Sequence, residues 1–189
     1  DFTAKAIMPD NSIESDFNLK NYAQKHKIVL FFYPLDFTFV CPSEIIAFNN
    51  RLGEFTERNT KLIAVSVDSH FSHLAWKNTP YNKGGIGNIQ IPMVSDMKKT
   101  ISYSYNVLYD ESLSLRGTFI IDEEFIVRHL LVNDFPIGRN VDEVVRLIDA
   151  IDYNAKHGEV CPAGWNKGNE GINPSLQGVA DYLSSNADK

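Results

Sequence analysis

The sequence predicts an α/β protein with a central mixed β-sheet flanked by helices and with a C-terminal extension. Three observations lead to this prediction. The length of 189 residues suits about one domain. Short apolar runs alternate along the chain with stretches of helical spacing. Glycine and proline recur after residue 153, where the regular pattern ends.

The first elements are predicted from the length and spacing of their apolar residues. The run from Ile28 to Tyr33 is continuously apolar, which is typical of a strand buried on both faces. Apolar residues at helical spacing predict a helix from Pro42 to Arg58, with proline in its first turn. A second buried strand is expected from Lys61 to Asp68. A further strand is predicted to start at Phe2.

The middle of the chain repeats this alternation with shorter elements. A short helix is predicted from Ser69 to Asn78, and Pro80 prevents it from continuing further. A brief strand from Pro92 to Ser95 and a helix from Lys98 to Tyr105 follow.

The last part of the alternation is a hairpin and a helix. Residues Thr118 to Asp122 and Phe125 to Val132 flank an acidic turn and predict an antiparallel pair. Apolar spacing from Val141 to Tyr153 predicts a helix with one face towards a core. With right-handed crossovers, a thioredoxin-like sheet is the simplest topology that accommodates this order.

The residues after this helix are predicted to form a separate functional part of the chain. We expect residues 1–153 to form the main domain and residues 154–189 to form an extended C-terminal arm. A short helix from Pro174 to Leu183 is expected to close the arm.

Composition and charge exclude several classes of protein. Hydrophobic residues make up 43% and charged residues 22%, as in globular proteins. The net charge of −6 and the lack of a basic run give no indication of a nucleic-acid or membrane partner. The longest apolar stretch is far too short to span a bilayer. No CxxC motif occurs, so structural zinc lacks its usual signature, and no organic cofactor is predicted either.

The two cysteines, Cys41 and Cys161, are the informative part of the composition. Two are too few for a disulfide-rich secreted scaffold. Cys41 lies between a buried strand and a helix that starts at Pro42, and unpaired amides at a helix N-terminus favour a thiolate. Position alone leaves two alternatives open, an inert buried thiol and a reactive one.

The string around Cys41 decides between these alternatives. PLDFTFVCPSE holds Pro34, Thr38 and Cys41 at the spacing P-x-x-x-T-x-x-C. This string resembles the active-site motif of the typical 2-Cys peroxiredoxins, the AhpC/TSA family of thioredoxin peroxidases. SVDSHFSHLAW, RGTFIID, HLLVND, IGRNVDEVVRLIDA and HGEVCPAGW are similar to further segments of that family. The likeness spans Phe2 to Leu183 and is greatest to the proteins of malaria parasites.

The resemblance implies a thiol-dependent peroxidase that reduces hydrogen peroxide and organic hydroperoxides. Cys41 would be the peroxidatic nucleophile, which becomes a sulfenic acid. Thr38 would orient the peroxide, and Pro34 would shield the pocket from water. Arg116 would hold the thiolate and the departing oxygen, while Glu44 would orient Arg116.

Further residues take supporting roles by the same resemblance. Arg139 would assist Glu44. Trp76 falls in a matching segment, although a core tryptophan is an equally good interpretation. Cys161 would be the resolving cysteine, which forms a disulfide with Cys41 of a partner subunit. Thioredoxin would then reduce this disulfide.

Two motifs bear on over-oxidation of Cys41. Residues Gly84, Gly85 and Gly87 correspond to the glycine-rich loop of sensitive family members. Tyr182 and Leu183 stand where many such members have Tyr-Phe. Because Leu183 departs from this pattern, we expect intermediate sensitivity.

The resemblance also implies an assembly and a location. The expected partner is a second copy of the chain, paired through edge strands, with five dimers forming a ring. The chain does not start with methionine, and a mitochondrial protein with its presequence removed is the expected form, with the cytoplasm as the alternative. The sequence leaves the preferred peroxide open.

Competing functions receive less support from the residues. A cysteine hydrolase needs a histidine base, and none of the five histidines lies in a recognisable protease signature. A thioredoxin-like binding module does not need Thr38, Cys41 and Arg116 together. A holdase chaperone activity of higher oligomers would add to the peroxidase activity.

Overall fold

A computed structural model describes residues 1–187 of the chain. Within these residues, seven strands form one mixed sheet in the order β2-β1-β5-β4-β3-β8-β9. The strands of the sheet are Thr3–Ile7 (β1), Ile13–Asn18 (β2), Lys27–Phe32 (β3), Thr60–Ser66 (β4), Met93–Ser95 (β5), Arg116–Ile121 (β8) and Val127–Asn133 (β9). A small separate hairpin joins Leu108–Tyr109 (β6) to Leu113–Ser114 (β7).

The helices alternate with the strands, as expected. They are Leu19–Ala23 (α1), Cys41–Asn50 (α2), Leu52–Glu57 (α3), His70–Lys77 (α4), Thr100–Ser104 (α5), Val141–His157 (α6) and Leu176–Asn186 (α7). The contacts divide the chain into two compact units, one of residues 1–141 and one that starts at Asp142. The functional division expected between residues 153 and 154 stays a prediction.

The centre of the sheet confirms the α/β prediction. Strand β3 is buried at every position and pairs in parallel with β4 and antiparallel with β8. Strands β4 and β5 are also parallel, whereas both edges of the sheet are antiparallel. A parallel centre with antiparallel edges is the mixed sheet of a thioredoxin-like fold.

Side chains of β3 point alternately to the two faces of the sheet, and each face is covered. Phe31 stacks on Phe48 of α2 with ring centroids 4.5 Å apart. The next residue, Phe32, contacts Tyr105 and Phe119 on the opposite face at 5.3 and 5.7 Å. Because consecutive residues of a strand face opposite ways, two adjacent phenylalanines anchor two separate layers.

Two predicted helices are shorter than the sequence suggests. The helix expected from Pro42 to Arg58 is two helices, because Arg51 has a non-helical backbone at φ −108° and ψ 14°. The helix expected from Lys98 starts only at Thr100, since Lys99 has a positive φ of 60°. Apolar spacing continues across both breaks, so periodicity alone does not reveal them.

Sequence patterns missed β2, α1 and the β6–β7 hairpin. Strand β2 is exposed at its first four positions, so it lacks the apolar alternation that identifies a strand. The other elements contain five residues or fewer, which is too short for a periodic signal.

The second unit contains the long helix α6 and the segment with Cys161. Helix α6 continues through His157, four residues beyond the predicted end at Tyr153. A single antiparallel bridge joins Val160 to Ile172, and α7 confirms the short closing helix. Residues 188 and 189, the end of the predicted arm, lie outside the described residues. No described helix is both long and apolar enough to cross a membrane.

Candidate active site

Cys41 is the first residue of α2, directly after the loop that leaves the central strand β3. Pro42 occupies the first turn, where its lack of an N–H group costs no helical hydrogen bond. The residue before Cys41, Val40, makes no side-chain cap hydrogen bond to α2. This placement confirms that the thiol lies at the N-terminus of a helix.

The Cys41 sulfur is fully buried and has two polar neighbours. Its Sγ atom lies 3.0 Å from the hydroxyl of Thr38 and 3.3 Å from Nη1 of Arg116. Arg116 starts strand β8, which pairs with β3, so a residue 75 positions away reaches the same sulfur. Both neighbours can donate a hydrogen bond to the sulfur.

The hydroxyl of Thr38 responds to the state of the sulfur. It lies 2.8 Å from the carbonyl oxygen of Leu35 and 3.0 Å from Cys41 Sγ. A hydroxyl has one hydrogen, so it donates to only one of the two. Beside a thiolate it donates to sulfur, whereas beside a thiol it donates to Leu35 and accepts from the S–H group.

Glu44 lies one turn after Cys41 and binds two arginines. Its Oε2 atom is 2.6 Å from Arg116 Nη1 and 2.9 Å from Arg139 Nη2. Its Oε1 atom accepts from Nε and from the backbone N–H of Arg139, at 2.9 and 3.1 Å. Two cations therefore surround one carboxylate, which prevents it from opposing a thiolate nearby.

Arg139 is a buried structural cation. Its Nη1 atom donates to the carbonyl oxygens of Phe32 and Gly117, and its guanidinium lies 5.1 Å from the centroid of the Phe31 ring. Burial lowers the pKa of Arg139 below its usual value, while Glu44 opposes this shift. The contacts of Arg139 fix the position of Glu44 between β3 and β8.

A pocket of about 390 Å³ lies beside the two polar neighbours of the sulfur. Pro34, Thr38 and Arg116 line it together with a mostly apolar wall of Phe39, Val40, Leu113, Phe135 and Pro136. The Nε atom of Arg116 donates to the carbonyl of Phe135, which holds the guanidinium plane in place. A small polar molecule in this pocket would therefore meet both groups that contact Cys41 Sγ.

Trp76 connects the glycine-rich loop to the loop before Cys41. Its indole N–H donates to the carbonyl of Gly84 at 2.9 Å, and its ring lies 5.7 Å from that of Phe37. Gly85 allows no side chain, because a Cβ atom there would lie 1.8 Å from the carbonyl oxygen of Thr79. Trp76 is a buried core residue and does not contact the sulfur in the described hydrogen bonds.

The remaining predicted residues belong to the second unit. Cys161 is half-buried, with Sγ 3.6 Å from the carbonyl of Ala150. Burial raises the pKa of the Cys161 thiol, and the charge of Arg146 partly offsets this. In α7, Tyr182 is partly buried and Leu183 is 51% exposed. The structure thus assembles Cys41, Thr38, Arg116, Glu44, Arg139 and Pro34 within the first unit alone.

Sequence analysis missed three hydrogen-bonded residues in and next to the loop before Cys41: Tyr33, Asp36 and His73. Asp36 is buried and accepts from the Tyr33 hydroxyl at 2.7 Å, and its other oxygen lies 2.8 Å from His73 Nδ1. The position of Asp36 among the apolar residues of PLDFTFVC was a usable signal, since a buried carboxylate needs partners. Nothing in the sequence indicates that His73 is its partner.

Comparison with known proteins identifies the family. The AhpC/TSA family matches residues 1–130, and the C-terminal domain of 1-Cys peroxiredoxin matches residues 150–185. The chain belongs to the AhpC/TSA peroxiredoxin family. Alkyl hydroperoxide reductase C of Helicobacter pylori is 50% identical over 189 residues, which cover 100% of this chain and 96% of the relative.

Solved peroxiredoxin structures are similar over most of the chain. The reduced 2-Cys peroxiredoxin of Plasmodium vivax is 55% identical with a TM-score of 0.94, covering 97% of this chain and 94% of the other. The mitochondrial 2-Cys peroxiredoxin of Plasmodium falciparum is 53% identical (TM-score 0.80; 85% and 95% covered). Thioredoxin peroxidase I of Plasmodium yoelii is 52% identical (TM-score 0.79; 88% and 95% covered).

These relatives confirm the predicted fold and activity. The protein is a peroxiredoxin, an oxidoreductase that reduces peroxides through a cysteine thiol. The names of these relatives denote peroxidases and do not favour a holdase chaperone. The role of each site residue stays a prediction.

Proposed function

We propose that Cys41 is the peroxidatic cysteine and that Cys161 of a partner subunit is the resolving cysteine. The observation that carries this proposal is the buried Cys41 sulfur at the N-terminus of α2, between the Thr38 hydroxyl and the Arg116 guanidinium. These donors suit a thiolate and a polar substrate placed against it.

The first step oxidises Cys41 and reduces the peroxide. The thiolate attacks one peroxide oxygen, the O–O bond breaks, and the other oxygen leaves with the bonding electron pair and takes a proton as water or an alcohol. Cys41 retains the first oxygen as a sulfenic acid. The substrate is hydrogen peroxide or an organic hydroperoxide, since the apolar wall of the pocket also accommodates a small alkyl group.

Stabilisation of the transition state in which the O–O bond breaks accounts for most of the rate enhancement. Negative charge grows on the departing oxygen, and Arg116 and Thr38, which lie against the sulfur and line the pocket, would donate to that oxygen. Arg116 Nε donates to the Phe135 carbonyl and Glu44 binds Nη1, so the fork is oriented before the substrate arrives. Preoriented donors cost no reorganisation in the transition state.

The second step joins two sulfurs. The Cys161 thiol attacks the Cys41 sulfenic sulfur, and water leaves as the disulfide forms. A dithiol reductant then cleaves the disulfide by exchange and becomes oxidised itself. We assign this role to thioredoxin; the support is the name of the similar thioredoxin peroxidase from Plasmodium yoelii.

The partner subunit pairs through the free edge of β9. This strand pairs with β8 on one side only among the described residues. Its exposed side chains include Val127, Leu130 and Val132, which line a pocket of about 540 Å³. An exposed apolar edge strand favours pairing with a second copy of itself.

Further assembly and location are extensions of the same proposal. A ring of five dimers needs a second contact surface, and exposed Phe39, Phe71 and Met97 are its candidates. We place the protein in the mitochondrion, with the cytoplasm as the alternative; the support is its similarity to the mitochondrial protein of Plasmodium falciparum.

The test combines two cysteine variants with one stoichiometric oxidation. After one equivalent of hydrogen peroxide, the unmodified protein should migrate as a covalent dimer on a non-reducing gel. On the same gel Cys41→Ser should migrate as a single chain, and this variant should lose thioredoxin-coupled turnover. Cys161→Ser should retain one sulfenic acid per chain and also lose turnover. Peroxidase activity in Cys41→Ser would contradict the role of Cys41, and an absent dimer would contradict the intersubunit disulfide.

A further inference from the structure

The loop between β3 and α2, residues 33–40, leads directly into Cys41 and holds its sulfur in place. The Thr38 hydroxyl of this loop lies within hydrogen-bond distance of both the Cys41 sulfur and the carbonyl oxygen of Leu35. The loop has little regular structure, and Phe37 within it has a positive φ of 53°. Its conformation therefore depends on contacts made by its side chains.

Asp36 provides the principal anchor of this loop. The Tyr33 hydroxyl donates to its Oδ1 atom at 2.7 Å. The Ser72 hydroxyl donates to Oδ2 at 2.7 Å, and Nδ1 of His73 lies 2.8 Å from the same oxygen. Ser72 and His73 belong to α4, so the carboxylate joins the loop to a helix.

A second link fixes the backbone of the same residue. The backbone N–H of Asp36 donates to Oδ2 of Asp68 at 2.9 Å. Asp68 lies two residues after the end of strand β4. The Ser66 hydroxyl donates to this same oxygen at 2.7 Å. The loop is thus held at Asp36 by both its side chain and its main chain.

The ring of His73 is fully buried, and both of its nitrogens face an acceptor. Nδ1 lies 2.8 Å from Asp36, and Nε2 lies 3.3 Å from the carbonyl oxygen of Val94. A hydrogen on Nδ1 lets the ring donate to the Asp36 carboxylate. This hydrogen bond is costly to remove, because a buried polar group that loses its partner keeps the full penalty of its burial.

We propose that Asp36 and His73 are a positioning pair that holds the active-site loop closed over Cys41. The pair opposes the movement that disulfide formation needs and supports the geometry that peroxide attack needs. It therefore sets how long the sulfenic acid stays in the pocket. This inference rests on the proposed peroxidatic role of Cys41.

The burial of Cys41 makes such a movement necessary. A disulfide requires the two sulfurs to approach to about 2 Å. The Cys41 sulfur is 0% exposed and is enclosed by Thr38 and Arg116. The segment with Cys41 must leave this enclosure before a second thiol can reach it. Asp36 lies only two residues before Thr38, so release of the loop begins at the anchored residue.

Two variants and one matched control test the pair. Asp36→Asn replaces the carboxylate by an amide, and His73→Phe keeps a ring but removes both ring nitrogens. Asp122→Asn changes another buried carboxylate, which binds the Ile126 backbone and Arg128 in the β8–β9 turn. Rapid quenching with a thiol-blocking reagent, followed by intact-protein mass spectrometry, separates sulfenic acid formation from disulfide formation.

The expected result is a change of the two rate constants in opposite directions. In both variants the second-order rate constant with peroxide falls by about fivefold, and the first-order rate constant of disulfide formation rises by about fivefold. The sulfinic acid fraction at a fixed high peroxide concentration falls accordingly. Asp122→Asn changes neither constant, because its loss of stability lies away from the loop.

Several results would overturn the inference. Unchanged ratios of the two rate constants in Asp36→Asn and His73→Phe would do so, as would the same change in Asp122→Asn. If either variant fails to fold, Ser72→Ala removes one donor to Asp36 and should shift the ratio in the same direction. A wild-type protein that forms no sulfenic acid at Cys41 would instead contradict the proposed function.

Discussion

The Nη1 atom of Arg116 lies 3.3 Å from the Sγ atom of Cys41. The same nitrogen lies 2.6 Å from Oε2 of Glu44, which is one helical turn beyond the cysteine. One guanidinium therefore binds the nucleophile and the carboxylate that orients it. Because these groups are almost fully buried, water does not weaken their interactions.

Replacement of Arg116 by lysine tests the need for its fork. Arg116→Lys keeps the charge but cannot bind Phe135, Glu44 and the sulfur together. We expect the rate constant of Cys41 with hydrogen peroxide to fall by about 100-fold or more in stopped-flow measurements. Arg51→Gln, which breaks a surface ion pair with Glu54, is the control and should react at the wild-type rate. A wild-type rate in Arg116→Lys would show that charge alone suffices.

Glu44→Gln removes the carboxylate between two buried arginines. Arg116 and Arg139 then repel each other without a counter-charge, so we expect the free energy of unfolding to fall by about 3–5 kcal/mol. Urea denaturation measures this change. Glu54→Gln is the control, because it removes an exposed carboxylate that also pairs with an arginine, and it should change the free energy of unfolding little. A small loss in Glu44→Gln would indicate that another group compensates the two cations.

The titration of Cys161 should reveal both its burial and its neighbouring charge. Burial raises the pKa of this thiol, and Arg146 lowers it. In a Cys41→Ser background, alkylation of Cys161 by iodoacetamide should therefore reach half its maximal rate above about pH 8.5, the value for a free thiol.

Arg146→Gln should move this alkylation profile to still higher pH, because loss of the positive charge disfavours the thiolate. Glu143 pairs with Arg146, and Glu143→Gln retains the cation, so it should not raise the profile. An unchanged profile in Arg146→Gln would show that this arginine has no effect on the resolving thiol.

Leu183 offers a direct test of sensitivity to over-oxidation. The sequence predicts intermediate sensitivity, since leucine replaces the usual aromatic residue. Leu183→Phe restores that aromatic residue at a position that is 51% exposed. We expect the sulfinic acid fraction of Cys41 during turnover at millimolar peroxide to rise, as measured by mass spectrometry. Leu176→Phe, in the same helix and 94% exposed, should have no effect. Equal sulfinic acid fractions in wild type and Leu183→Phe would contradict the assigned role.

Much of the architecture followed from local patterns. The buried run that became β3 and the helix at Pro42 were both predicted, because burial on two faces and helical spacing leave clear periodic signals. The break at Arg51 and the exposed strand β2 were not predicted, because neither changes the apolar pattern. The motif around Cys41 also indicates the family without any knowledge of the tertiary structure.

The sequence by itself determined the family and the central alternation of strands and helices, and it predicted Cys41 as the reactive thiol. Only the tertiary structure decided which distant side chains reach Cys41 and its loop. Strand β3 lies between β4 and β8, which brings Arg116 to the sulfur from one side and α4 with His73 to Asp36 from the other. Local patterns report the burial of a residue, but the partner of a buried charge depends on strand order and long-range packing.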